Sequence, residues 1–337
     1  MTKYVFVLTS SPKDFYCEQT LVAVASLRVH NPGAFVTLLT DDRTLATLTG
    51  NRAALKDAVD EIKALTLDEK LTPMLRSRFL KTSIRNVIEG DFLFLDSDIA
   101  VVGDLSIPEE WKGGIYAVLD FHTNLSKAIN RKKVLNNAKR MGFSPILNDQ
   151  LFNSGVMFVP DTPEAHKFFE TWHTLWEGCV AKGFPYDMAS LAETDFRSGY
   201  AIKEMPGGWN CQLAYGNRFL PTAKVLHFFG SRIIDTRGRK VPEGMKLFLP
   251  KILRRDFYTN LKNMPVTVNA DKSVHINEYY DDVIAHAKEA FEFQTKKVGA
   301  GGAYIIRSYA FAKSLAWLYK NIPVLVKPLE LLGKIFS

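Results

Sequence analysis

The sequence is poor in cysteine and has no long hydrophobic run. Its three cysteines, Cys17, Cys179 and Cys211, lie far apart in 337 residues and form no CxxC pair. That spacing excludes a disulfide scaffold or a zinc framework and fits a reducing compartment. No uninterrupted apolar run reaches the ~20 residues of a membrane-spanning helix. The N-terminal "MTKYVFVLTSSPKDFYC" lacks a long hydrophobic region and a cleavage site, so we predict a first β-strand there and not a signal peptide.

The chain carries an excess of positive charge. There are 43 Lys and Arg against 36 Asp and Glu, a net charge of +7, in a composition that is 47% hydrophobic and globular. This balance favours an anionic partner such as a nucleotide, a nucleic acid or a membrane surface, although many soluble proteins are mildly basic.

Predicted strands and helices alternate along the first hundred residues. Strand-like runs "KYVFVLTS", "AFVTLLTDD" and "EIKALTL" alternate with helical patterns in "EQTLVAVASLRVHNPG", in residues 42–58 and in "TPMLRSRFLKTSIRNVIEG". This order predicts a mainly parallel sheet covered by helices. Ligands of such sheets bind beyond the C-terminal ends of the strands, where Ser10, Asp41 and Asp96 fall.

The pattern is less regular after Gly113. Further predicted strands are "GIYAVLDF", "LFNSGVMFV" and "AKVLHFFGS". Helical patterns occupy residues 163–178 and 187–197 and the segment "EYYDDVIAHAKEAFEFQTKK".

The segment 304–337 differs from the rest of the chain. Lysines recur every seven residues from Lys313 to Lys334 among aromatic and apolar residues, and Glu330 is its one acid. Such a segment suits the interface of an anionic membrane, with Pro323 and Pro328 breaking any single helix. The alternative is an element packed on the domain or on a dimer partner.

Two carboxylates stand between hydrophobic strands in "GDFLFLDSDIAVVGDL". Residues i and i+2 of a strand face the same side, so Asp96 and Asp98 should converge on one point beyond the sheet. Such oxygen ligands suit a hard divalent cation that also contacts substrate phosphates. A surface turn with two solvated aspartates is the alternative.

Several motifs, taken in order, resemble one enzyme family. "FLFLDSDIAVVGDL" is similar to the DxD segment of GT-A-fold glycosyltransferases, closest to the retaining family (family eight) of glycogenin and the bacterial lipopolysaccharide galactosyl- and glucosyltransferases. "SRFLKTSIRNVI", "AVLDF", "LFNSGVMFV" and "LHFFGS" resemble further segments of that family, and the resemblance covers residues 3–232. It implies a GT-A, Rossmann-like α/β fold whose mixed, mainly parallel sheet is flanked by helices. It also implies a metal-dependent hexosyltransferase with a UDP-linked donor such as UDP-glucose or UDP-galactose.

The resemblance assigns roles to individual residues. Asp96, Asp98 and His227 become metal ligands, and the imidazole favours Mn²⁺ over Mg²⁺. Asp120, Asn153 and Asp187 become the catalytic residues around the donor sugar. The residues expected to contact the nucleotide and its phosphates are Thr9, Ser10, Ser11, Asp41, Arg78, Lys81, Ser97, Gly230 and Arg232.

Each role has a structural alternative. His227 could be a buried, hydrogen-bonded histidine, and Asp187 could be a helix N-cap. Asn153 could serve turn geometry, and Arg78 could lie on a solvated helix face. Trp209-Asn210 could line the pocket, or Trp209 could be buried.

Two positions depart from the family pattern. Met188 stands where the family usually has a glutamine near the anomeric carbon, which weakens the expectation of retention. After the HxxG glycine the family tends to have a lysine, whereas this chain has Arg232 and later Arg237.

The sequence is divided into two parts. We expect a catalytic domain over residues 1–265 and a helical extension over 266–337, with 304–337 on a membrane. The protein would be cytoplasmic and peripheral on the inner face of the membrane. Its acceptor would be a glycan or glycolipid of lipopolysaccharide or capsule biosynthesis, and we expect no nucleic-acid partner.

Two other functions remain open. A sugar nucleotidyltransferase would need a glycine-rich phosphate loop after the first strand, and "TSSPKDF" has no glycine. A catalytically inactive sugar-binding or membrane-adaptor domain is favoured by Met188 and disfavoured by the joint presence of Asp96, Asp98 and His227.

Overall fold

The protein is described by a computed structural model that covers residues 2–144, 148–228 and 250–297, with side chains to residue 293. Segment 304–337, with its predicted membrane association, lies outside the described residues.

A seven-stranded sheet forms the centre of the described chain, in the order β3-β2-β1-β4-β7-β6-β8. β7 runs antiparallel to β4 and β6, and all other neighbours are parallel. The predicted mixed, mainly parallel sheet flanked by helices is therefore confirmed. The strands are β1 (Lys3–Leu8), β2 (Phe35–Asp41), β3 (Glu61–Leu65), β4 (Phe92–Leu95), β5 (Ile99–Val101), β6 (Ile115–Leu119), β7 (Phe152–Val159), β8 (Ile202–Glu204), β9 (Cys211–Gln212), β10 (Val225–His227), β11 (Thr267–Val268) and β12 (Val274–His275).

Helices cover both faces of this sheet. They are α1 (Tyr16–His30), α2 (Asp42–Leu45), α3 (Ala54–Ala58), α4 (Pro73–Thr82), α5 (Arg131–Met141), α6 (Pro163–Ala181), α7 (Met188–Arg197), α8 (Arg255–Leu261), α9 (Glu278–Ala285) and α10 (Ala287–Lys297). α4 and α6 begin alike, because Thr72 and Thr162 cap the first turn and proline follows in the first helical position.

The core has two parts because alternate residues of a strand face opposite sides. Phe6 and Leu8 of β1 pack in a cluster with α1, α8, α9 and α10, whereas Val5 and Val7 pack in a cluster with α4, α6 and α7. Tyr280 of α9 and Phe291 of α10 belong to the first cluster, so the described part of the proposed extension packs on the main core. The division at residue 265 stays a prediction.

Two predicted helices are interrupted. Residues 42–58 form α2, a 3-10 turn (Gly50–Ala53) and α3; α2 ends at Leu45, and the extended Thr49 and the left-handed Gly50, with a φ of 58°, cannot continue a right-handed helix. The helix expected over 278–297 ends at Ala285 and starts again at Ala287.

The strands β1, β2, β4 and β6 all end at one edge of the sheet, and the polar residues expected to form the site lie at this edge. β7 runs the opposite way, so its first residues reach the same edge. A small sheet, β5-β10-β9, stands beside it, and His227 of β10 pairs with Ile99 of β5. Among the described helices, none is long and apolar enough to cross a membrane.

Candidate metal centre

Asp96, Asp98 and His227 converge at this edge. Asp96 follows β4 and Asp98 precedes β5, while the antiparallel pairing of β5 with β10 brings His227 alongside them. Nε2 of His227 lies 3.4 Å from an oxygen of Asp98 and 3.9 Å from one of Asp96. Potential ligand atoms of the three lie within 4.8 Å of one another, and no other such group occurs in the described residues.

Gly155 fits closely against these side chains. Its carbonyl accepts a hydrogen bond of 2.8 Å from the backbone N–H of Asp96. A Cβ on Gly155 would overlap with Cε1 of His227 and lie 2.9 Å from Oδ2 of Asp96. Residue 155 must therefore lack a side chain for the three groups to converge as they do.

A chain of amide hydrogen bonds fixes the histidine ring. The backbone N–H of Gly155 donates to Oδ1 of Asn153, so the Asn210 group that also meets this oxygen is its NH₂. Oδ1 of Asn210 then faces Nδ1 of His227 at 2.9 Å, which places the ring proton on Nδ1. In the neutral ring, Nε2 then presents its lone pair toward Asp96 and Asp98, as a metal-binding imidazole requires.

The cluster fits a divalent cation. Ligands opposite each other across an ion are about 4–5 Å apart, because metal–ligand distances are about 2.0–2.5 Å. The 4.8 Å limit among the three groups agrees with that spacing. Two carboxylates and an imidazole suit Mn²⁺ better than the all-oxygen shell that Mg²⁺ prefers.

Lys81 lies directly beside the cluster. Its ammonium group donates to Oδ1 of Asp96 at 2.9 Å, and it lies 4.8 Å from the ring centre of Phe94. The Lys81 side chain is only 5% exposed, so its position is fixed by packing. α4 thus supplies a buried cation to the site.

Arg78, one turn earlier in α4, pairs with Asp187 at 3.2 Å. The carboxylate of Asp187 raises the pKa of Arg78 against the effect of burial, with added contributions from Asp96 and Asp98. Burial works to raise the pKa of Asp187, but Arg78 and Lys81 outweigh it and leave the pKa below its usual value. Asp187 immediately precedes α7, yet its side chain does not cap the helix.

Asp120 enters the same network through Asn153, whose amide donates to Oδ1 of Asp120 at 3.0 Å. The next two residues, Phe121 and His122, have left-handed φ values of 63° and 55°. Gln212 holds this turn, since its side chain donates to the carbonyl of Leu119 and accepts from the N–H of Phe121. The strained turn directs the Asp120 carboxylate towards Asn153.

His122 completes the support of that turn. Its Nε2 accepts a hydrogen bond of 2.8 Å from the backbone N–H of Gln212. Burial, then the charge of Arg218, lowers the pKa of His122 to about 4. The ring is therefore neutral near pH 7, and its Nε2 can accept the hydrogen bond from Gln212.

The loop after β1 forms a separate group. The hydroxyls of Ser10 and Ser11 donate to Asp14, at 2.6 and 2.8 Å. Arg52 binds the carbonyls of Ser11 and Asp14 and pairs with buried Glu18, which anchors the loop. Within the described residues, the buried hydroxyl of Thr9 has no hydrogen-bond partner.

Three other expected residues lie as follows. Asp41 is buried, and its oxygens bind Thr44 and Arg76 at the start of α2. Ser97 is partly exposed between the two aspartates. Trp209 is buried, and its ring centre lies 4.7 Å from that of Trp111. The sites expected at Gly230 and Arg232, and Arg237 beyond them, lie outside the described residues.

Sequence reasoning missed the supporting residues Gln212 and His122, and it named Asn210 only as a lining residue. No spacing marks them, because each acts through a partner about 17 to 93 residues away. Asn210 could be suspected from its position after Gly207-Gly208, a pair on which a Cβ would meet the Phe219 ring and the Thr222 carbonyl.

Comparisons with known proteins show similarity of fold alone. No family model matches this chain, and no curated protein matches it. The glycosyltransferase GlyE of Streptococcus pneumoniae TIGR4 is a similar solved structure, with 16% identity over 78% of this chain, 63% of its own chain and a TM-score of 0.49. The galactosyltransferase LgtC, solved with donor and acceptor sugar analogues, is 14% identical over 80% of this chain and 98% of its own, with a TM-score of 0.47.

Mouse xyloside xylosyltransferase 1 is 16% identical over 67% of this chain and 97% of its own, with a TM-score of 0.44. This chain therefore spans less than two thirds of GlyE but almost all of LgtC. Because these TM-scores lie below 0.5, the case for a function rests on the side chains of the site.

Proposed function

We propose that this protein is a metal-dependent glycosyltransferase. It would transfer a hexose from a UDP-linked donor, such as UDP-glucose or UDP-galactose, to a glycan or lipid-linked acceptor. The observation that carries the proposal is the convergence of Asp96, Asp98 and His227 within 4.8 Å at the edge of a mainly parallel sheet. That edge is where nucleotide ligands of such sheets bind.

Asp96, Asp98 and His227 would hold Mn²⁺, or else Mg²⁺. When bound, the ion supplies Lewis-acid neutralisation of the diphosphate charge that grows as the sugar departs. Asn210 would keep the histidine tautomer ready for this ligation, and Gly155 would leave room for it. Thr9 offers a buried hydroxyl at the neighbouring strand end, where a nucleoside could accept its hydrogen bond.

Protein cations would bind the same diphosphate. Lys81 lies 2.9 Å from Asp96, so its ammonium group would stand beside a diphosphate bound at the cluster. Stabilising the departing diphosphate is the main electrostatic demand of the reaction, and fixed cations meet it without rearrangement. Arg78 lies between this group and Asp187 and could contact either phosphate or sugar.

Asp120, Asn153 and Asp187 would orient the donor sugar. The Asn153 amide links Asp120 to Asn210, which in turn binds the His227 ring. The side chains that contact the sugar hydroxyls would therefore keep a fixed position relative to the metal ligands. Asp187 is kept ionised by Arg78 and would accept hydrogen bonds from sugar hydroxyls on the other side.

We expect transfer with retention by a front-face route. Met188 offers no nucleophile and is 37% exposed at the start of α7. In a front-face route the leaving phosphate helps to deprotonate the acceptor, so no protein nucleophile is needed. A cytoplasmic enzyme, peripheral on the membrane and acting on a cell-envelope glycan, would be consistent with the basic segment 304–337.

The test is incubation of the full chain with a panel of UDP-sugars and Mn²⁺, scored by UDP release and by the anomer formed. UDP release with one donor, lost on adding a chelator, supports the proposal. No release from any donor together with no Mn²⁺-dependent UDP binding contradicts it. UDP-sugar binding without turnover would favour the inactive sugar-binding domain that Met188 suggests, and release of pyrophosphate from UTP and a sugar phosphate would favour a nucleotidyltransferase.

A further inference from the structure

Most of the segment between β6 and β7 is basic, with Asp120 and Asp149 at its two ends. Residues 121–148 contain six lysines and arginines and no aspartate or glutamate: Lys127, Arg131, Lys132, Lys133, Lys139 and Arg140. All six are exposed. Within the described residues, none of the six forms an ion pair.

Folding of α5 does not require these charges. The helix is anchored by Val134, Ala138 and Met141, which recur at helical spacing and are buried. Gly142 ends it in a left-handed conformation, and Lys182 donates to the Met141 carbonyl. Lys132, Lys133, Lys139 and Arg140 occupy the opposite, solvent-facing side.

The helix dipole explains only part of the pattern. Lys139 and Arg140 lie in the last turn, where cations interact favourably with the dipole. Arg131, Lys132 and Lys133 lie in the first turn, where cations oppose it; that turn contains no acidic residue, and the carboxylate of Asp149, just before β7, interacts with Arg131. Lys132 and Lys133 therefore oppose the dipole unless an external anion faces them.

An exposed apolar residue distinguishes the kind of anion. Ile129, between Lys127 and Arg131, is 79% exposed, more than any other large hydrophobic side chain of the described residues. An exposed aliphatic side chain among cations suits the interface of an anionic bilayer. Single-stranded nucleic acid is bound through aromatic stacking, and residues 121–144 expose no aromatic ring, since Phe121 is buried and Phe143 is partly covered.

We propose that α5 and the turn before it, residues 127–140, form a docking surface for an anionic lipid membrane, separate from segment 304–337. The segment joins β6, which ends before Asp120, to β7, which contains Asn153. α5 packs on α7, which begins directly after Asp187. If the proposed transferase function holds, docking here brings the donor site to a lipid-linked acceptor.

The test uses the full-length chain and vesicle co-sedimentation. Vesicles of phosphatidylcholine containing phosphatidylglycerol are compared with vesicles of phosphatidylcholine alone. The triple variant Lys132→Gln, Lys133→Gln, Lys139→Gln should bind the anionic vesicles at least about tenfold more weakly than the wild type, since each surface cation contributes about fivefold. The matched control is Lys56→Gln, Lys70→Gln, Lys167→Gln, which removes three exposed lysines elsewhere and should change binding less than about twofold.

Ile129→Ser is the second variant, because it leaves the charge unchanged. It should weaken binding to the anionic vesicles but leave binding to soluble heparin as in the wild type. The proposal is overturned if the α5 triple variant binds the anionic vesicles as tightly as the wild type does. It is also overturned if the two triple variants lose vesicle affinity to the same extent. Vesicle binding unaffected by Ile129→Ser, with heparin binding reduced only in the α5 triple variant, would indicate a soluble polyanion instead. Mn²⁺-dependent UDP binding, measured without vesicles, should be unchanged in all variants, so failure here is distinct from failure of the transferase assignment.

Discussion

Asn210 holds His227 through a hydrogen bond of 2.9 Å between Oδ1 and Nδ1, and its amide nitrogen donates to Asn153 at 2.9 Å. Three residues far apart in sequence are thereby fixed in one orientation. The same contact decides which nitrogen of His227 faces the aspartates.

Asn210→Ala should weaken Mn²⁺ binding by about 10- to 100-fold, the usual effect of losing a hydrogen-bond partner of a metal-binding histidine. Free Mn²⁺ measured by electron paramagnetic resonance gives the affinity, with circular dichroism to verify folding. Asn263→Ala, which removes an exposed helix contact to Thr259, serves as the control. Equal Mn²⁺ affinity in wild type and Asn210→Ala would show that the hydrogen bond from Asn210 to His227 has no role in metal binding.

Gly155→Ala should abolish tight Mn²⁺ binding, because the added methyl would displace His227 and Asp96. Overpacking of this kind also lowers the free energy of unfolding by about 1–3 kcal/mol. Gly178→Ala is the matched control: it lies in α6 with no atom within 4 Å of the added Cβ, and should raise stability by about 0.5–1 kcal/mol. Equal Mn²⁺ affinity in Gly155→Ala and Gly178→Ala would contradict the requirement that residue 155 lack a side chain.

The Arg78–Asp187 pair should show energetic coupling. Both side chains are largely covered, at 31% and 12% exposed. A double-mutant cycle with Arg78→Met and Asp187→Asn, followed by urea unfolding at pH 7, should give a coupling of about 1–2 kcal/mol. Because the folded-state pKa of Asp187 is depressed, this contribution is present above pH ~4 and is lost as the pH falls further. A coupling near zero would mean that solvent screens the pair.

His122 should make stability depend on pH. Its folded-state pKa of about 4 lies below the unfolded value of about 6.5, so the unfolded chain binds more protons between them. Stability should therefore fall as the pH drops from 6.5 to 4, by up to about 3 kcal/mol from this group. His122→Asn keeps a residue that tolerates the left-handed turn, and its stability should fall less over that range. Parallel pH profiles for wild type and variant would contradict the assignment.

Much of the fold was predictable because its signals are local. The strands of the first hundred residues are short apolar runs, and Thr72-Pro73 marks the start of α4. The convergence of Asp96 and Asp98 also followed from their spacing. The interruption between α2 and α3 was not predicted, since a lone glycine within a helical pattern is often tolerated.

The support of the site could not be predicted for a different reason. Gln212 and His122 are polar residues without a motif, and their roles come from backbone groups that only the closed fold brings near. The Arg78–Asp187 pair likewise depends on α4 and α7 lying at the same edge of the sheet. Long-range contacts of this kind leave no periodic trace in a single sequence.

UDP binding followed by calorimetry in the presence and absence of Mn²⁺ tests the central claim most directly. We predict that wild-type protein binds UDP with Mn²⁺ and loses this binding on chelation. Asp96→Ala should show none, while the control Asp104→Ala, an exposed carboxylate eight residues further along, should bind as the wild type does. UDP binding that is independent of Mn²⁺, or that is unchanged in Asp96→Ala, would contradict the account.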